Sequence, residues 1–102
     1  MLIGGADWAV ELSAAEAESL RAAVADLVEQ HAALVDQLMA EESISLELER
    51  APWWLAIEGD RAAWGLKLVL SPAPGQRAFE GGWPAPASQA FSAALQQLHG
   101  QP

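Results

Sequence analysis

A chain of 102 residues, 52% hydrophobic and 19% charged, suits one domain with one core and is too apolar for a disordered tail. Fourteen acidic residues against five basic give a net charge of −9. That balance opposes generic binding to nucleic acid or anionic membrane, which rests on Lys and Arg neutralising phosphates.

Cysteine is absent, which excludes a disulfide framework, a thiolate nucleophile and a cysteine metal site. The first residues, Met1 to Asp7, show neither a basic n-region nor an apolar h-region. No apolar run approaches the ~20 residues of a membrane span. The expected location is the cytoplasm.

Taken in order, Asp7–Leu12 alternates, with Trp8, Val10 and Leu12 on one face, the pattern of a half-buried strand. Ser13-Ala14-Ala15-Glu16 then reads as a capping box. It opens an Ala-rich helix without Gly or Pro that is expected to run to about Glu42. Leu20, Val24, Leu27, His31, Leu34 and Leu38 recur at spacings of three and four, which predicts an apolar stripe for a core or a partner.

At Ser43 the period switches to two. Ile44, Leu46 and Leu48 alternate with Ser45, Glu47 and Glu49. Beyond Ala51-Pro52, Trp53, Leu55 and Ile57 alternate with Trp54, Ala56 and Glu58, and Gly59-Asp60 marks a tight connection. Trp64, Leu66, Leu68 and Leu70 then alternate with Gly65, Lys67 and Val69. Pro72-Ala73-Pro74-Gly75 is a turn. Arg77 to Trp83 reads as a last strand, and residues 87–99 as a short helix with Phe91, Leu95 and Leu98 on one face and Gly100 as terminator.

The order is β-α-β-β-β-β-α, a single α+β domain over residues 1–102. The expected architecture is a curved antiparallel sheet of about five strands, with the long helix across one face and a short C-terminal helix.

The chemistry-bearing residues have structural explanations. His31 sits within the apolar stripe with Leu27 and Val35 four residues to either side, so no HExxH arrangement exists. It reads as a boundary or interface histidine. His99 suits a helix C-terminus. No serine lies in a G-x-S-x-G context, and Gly4-Gly5 and Gly81-Gly82 fit no phosphate loop. Glu47 and Glu49 share one strand face, which reads as solvated, and the Glu41-Glu42 pair suggests no built cation site. The expectation is a non-enzyme without catalytic residues, metal or cofactor.

Tryptophan is the informative residue type. Trp8, Trp53 and Trp64 fall on the aliphatic faces of their strands and read as core, whereas Trp54 points the other way. Trp83 lies beside Gly81-Gly82 and Pro84. The long helix is strongly acidic, while Arg50, Arg61, Lys67 and Arg77 leave the strand region nearly neutral. Trp54, Lys67 and Trp83 are therefore the candidate interaction surface, for a protein interface or for stacked nucleobases.

The segment Ile3-Gly4-Gly5-Ala6-Asp7-Trp8-Ala9-Val10-Glu11-Leu12 resembles the GG-x-DWA-x-EL segment of a family of small cyanobacterial proteins of unknown function. The capped helix, the acidic turn near Glu41-Glu42 and Gly82-Trp83-Pro84-Ala85 extend the resemblance over nearly the whole chain. It implies a fold similar to the whirly-type single-stranded-DNA-binding transcriptional regulators, and no activity or cofactor. Members of the family begin with a further Gly- and Trp-containing strand that this sequence lacks, so Gly4–Leu12 is expected at an open sheet edge.

The resulting expectation is a non-enzymatic protein-interaction module that self-associates, most simply as a homodimer, with an unidentified protein as a further partner. The alternative is a single-stranded nucleic-acid binder using the sheet face. A small-molecule pocket near His31 is the third reading.

Overall fold

A computed structural model describes residues 1–37, 42–71, 75 and 77–99. Eight elements follow in order: β1 (Leu2–Gly4), β2 (Ala9–Glu11), α1 (Ala14–Val35), β3 (Ile44–Arg50), β4 (Trp53–Gly59), β5 (Trp64–Leu70), β6 (Phe79–Trp83) and α2 (Ala87–His99). The expected α+β class, the long helix and the short C-terminal helix are all present.

The four strands β3 to β6 form an antiparallel meander in sequence order. Strict alternation sorts their side chains onto two faces. Trp53, Leu55 and Ile57 of β4 and Leu66, Leu68 and Leu70 of β5 are each at most 1% exposed on the helix side. Full burial of one such side chain is worth about 1.5–3 kcal/mol, so these six dominate the core.

The helix α1 begins where the sequence places it. Ser13 Oγ accepts from the Glu16 amide at 3.1 Å, and Glu16 Oε1 accepts from the Ser13 amide at 2.9 Å. Its buried stripe is Leu20, Ala23, Val24, Leu27, His31 and Val35. The expected end near Glu42 is corrected: regular helix stops at Val35, with Asp36 as C-cap. Leu34 belongs to the outer side, 44% exposed. Leu38 and Glu41 lie outside the described residues, as do Pro72 to Pro74 and Gly100.

The expected five-stranded sheet and open edge at Gly4–Leu12 are corrected as well. The sheet has four strands, and the N-terminal segment forms its own two-stranded sheet. In it Ile3 pairs with Val10, and Gly4 with Ala9. The regular strand is Ala9–Glu11 rather than Asp7–Leu12 because Gly5 N–H donates to Trp8 O at 2.9 Å and turns the chain there. Ile3 and Leu12 enter the core at 6% and 2% exposure.

Trp8 docks this hairpin on β6. Its ring lies 5.0 Å from both Phe79 and Trp83. Gly81 makes that approach possible, since a Cβ there would stand 3.1 Å from the Trp8 ring. The last strand accordingly spans Phe79–Trp83, shorter than Arg77–Trp83.

The helix α2 packs beside α1, against β5 and β6. Leu95 is buried, and Phe91 stacks on Trp83 with centroids 3.8 Å apart. Leu98 is 56% exposed, outside the expected apolar face. The two helices and the hairpin thus seal one sheet face and leave the other open.

Candidate functional site

The open face is defined by strand register. Glu49, Trp54, Val69 and Glu80 form one row across the four strands. Glu47, Ala56, Lys67 and Gly82 form the next, and Ser45, Glu58 and Gly65 a third. Trp54 is half-buried and Lys67 exposed.

Two hollows lie on this face. One, of about 640 Å³, is bordered by Gly65, Val69, Glu80 and Gly82; the other, of about 540 Å³, by Ser45, Glu47, Ala56 and Glu58. Trp54 and Lys67 border both. They therefore form a ridge between the hollows. Small residues make the floor: Gly65 and Gly82 on one side, Ala56 on the other.

Electrostatically the face is mixed. Glu47, Glu49, Glu58 and Glu80 surround Lys67, and Ser45 Oγ donates to Glu58 Oε2 at 2.9 Å. Each arginine is engaged elsewhere: Arg21 with Glu18, Arg50 with Asp26, Arg61 with Asp36 and Arg77 with Glu16. Among the described residues Lys67 is the one basic side chain without an ion pair.

All three candidate surface residues border the first hollow, but only Trp54 and Lys67 stand on the open face, while the Trp83 side chain is buried. Trp83 is 7% exposed, and its indole N–H donates to Gly4 O at 2.9 Å. By register it pairs with core-facing Leu66, so its ring turns toward α2. Gly81 and Gly82 lie within the regular strand β6. Trp53, read as core, is so, and its indole N–H donates to Glu16 O at 3.1 Å.

His31 is 2% exposed, and its Nε2 donates to Gly59 O at 3.0 Å. A carbonyl can only accept, so this nitrogen carries the proton. The residue is a satisfied core histidine beside Trp64, 6.3 Å away between ring centroids. Gly59 has φ +150°, and a Cβ there would meet Ala63 O at 2.3 Å, so the β4–β5 turn requires glycine.

Ser13 is a cap, and Ser88, fully buried, donates its hydroxyl to Trp64 O. Among the described residues no group of three or more His, Asp or Glu is placed to hold a metal ion. No helix among them is long and apolar enough to cross a membrane. Strand alternation already places Ala56 and Val69 on this face, but the candidate surface names neither them nor Glu80.

Three comparisons bear on this fold. The model of a domain of unknown function, DUF1818, matches residues 1–98. A search of curated proteins finds no match. Among solved structures the chain is similar to a protein of unknown function, described as of the DUF155 family, from Prochlorococcus sp. NATL2A. Identity is 39% and the TM-score 0.88, over 96% of this chain and 81% of that one.

Proposed function

This chain belongs to the DUF1818 family, a domain of unknown function, and we propose that it is a non-enzymatic protein-interaction module that self-associates through the open sheet face. One observation carries the reading: one face of the sheet is sealed by α1, α2 and the β1–β2 hairpin, while the other presents a half-buried tryptophan on a ridge between two hollows. An aromatic anchor ringed by polar groups is the usual makeup of an interface centre. Association of identical chains through one self-complementary patch closes as a twofold dimer. The acidic helix α1 lies on the opposite side of the sheet, where its charge is screened from a copy docked on the open face.

Static light scattering across a concentration series tests this. The mass should rise from 10.8 kDa toward twice that value, and Trp54→Ala should shift the transition to higher concentration. A constant monomer mass would contradict the proposal.

A second reading, single-stranded nucleic-acid binding, is favoured by Trp54 and Lys67 standing together on a sheet face, where bases can stack and a phosphate can pair. It is opposed by the four glutamates on that face. Titration of a labelled oligonucleotide at low and high salt distinguishes the two. Binding that weakens steeply with salt and is lost in Trp54→Ala would favour nucleic acid.

A further inference from the structure

We infer that the twofold axis of the self-associated form runs along β4 over Ala56, and that it pairs Lys67 of each copy with Glu47 of the other. This rests on the self-association proposed above and adds its register.

The starting point is one row of the sheet. Glu47 pairs with Ala56, and Ala56 with Lys67, so the two charged residues flank Ala56 symmetrically on the neighbouring strands. They stand two strand spacings apart, roughly 10 Å, with Ala56 between them, and make no ion pair with each other. Both are exposed. Lys67 makes no ion pair, unlike each of the four arginines.

A face-to-face dimer needs an axis lying in the interface plane. If that axis follows β4, position along the strands is preserved and the flanking strands exchange. Lys67 of one copy then lies over Glu47 of the other, and the reverse contact follows by symmetry. The two Ala56 methyl groups meet at the axis and permit close approach. The two Trp54 rings meet two residues further along, over the ridge. Strands of the two sheets run nearly aligned, the common geometry of stacked sheets about 10 Å apart.

The other in-plane choice is an axis across the strands. It places β5 over β5, so Lys67 faces Val69 or its own copy. Either leaves the cation unpaired or repelled, which charge complementarity disfavours. The β4 axis carries one recognisable cost. Glu58 lies on the same strand, so the two Glu58 carboxylates approach each other, each already accepting the Ser45 hydroxyl at 2.9 Å.

Sedimentation velocity on Lys67→Glu, Glu47→Lys and their equimolar mixture tests the register, with circular dichroism to confirm folding. Each variant alone turns two attractive contacts into two repulsive ones, and should weaken association about tenfold or more. The mixture should recover it, because the mixed dimer regains two Lys–Glu contacts. A pairing internal to one chain would not recover on mixing. Glu58→Gln should tighten the dimer. Wild-type chain that stays monomeric removes the interface itself. A wild-type dimer untouched by either substitution, or a mixture that fails to recover, leaves the interface standing and overturns this register.

Discussion

Arg77 and Glu16 join the approach to β6 with the first turn of α1: the guanidinium lies 2.7 and 3.2 Å from the two carboxylate oxygens and donates also to Glu11 O. The same carboxylate completes the capping box. The hydrogen bond from Arg77, then the Ser13 amide, holds Glu16 down to about 2 from an ordinary 4.5. Its folded pKa lies below its unfolded one, so the stability it contributes is present above the unfolded value and is lost as pH falls toward the folded one.

The expected outcome is a urea midpoint that drops between about pH 5 and about pH 2, with a smaller drop in Glu16→Gln. Equal slopes for the two proteins would show that this carboxylate contributes nothing to acid stability.

Leu66 and Leu68 lie on the helix-covered face of β5, the strand against which α2 packs, and are 1% and 0% exposed. Alanine at either should destabilise the fold by about 2–5 kcal/mol through lost burial and the cavity left behind. Urea denaturation checks this, and negligible midpoint shifts for both would mean the register of β5 is wrong.

Trp54 and Trp83 make opposite predictions. Trp83→Ala should cost about 3–5 kcal/mol, since it empties the stack with Phe91 and frees Gly4 O. Trp54→Ala, on the open face, should change monomer stability by about 1 kcal/mol or less. Thermal melts of both at low concentration decide between core and surface for each residue.

Much of this was legible in the sequence. Alternation alone gives β3, β4 and β5 to within a residue, and the Ser13–Glu16 spacing marks the start of α1. Parity also places Trp54 and Lys67 on the uncovered side. The end of α1 was not legible, because no Gly or Pro follows Val35 to announce it. The strand β1 was not legible either: three residues are too few to show a period, and its pairing with β2 depends on a turn at Gly5. Trp83 misled because the glycines before it carry no hydropathy. The sequence Phe79-Glu80-Gly81-Gly82-Trp83 alternates around Gly81, whose missing side chain is the space that Trp8 fills.

The most direct measurement of the central claim uses the absence of cysteine. Ala56→Cys places a single thiol at the centre of the open face, and Glu29→Cys places one on the exposed side of α1. A short bis-maleimide spans the ~10 Å expected between stacked sheets. The Ala56 variant should give a covalent dimer efficiently at micromolar concentration, lost on dilution and in Lys67→Glu, while the Glu29 variant stays monomeric. No cross-linked dimer from the Ala56 variant, or equal yields from both positions, would contradict association through this face.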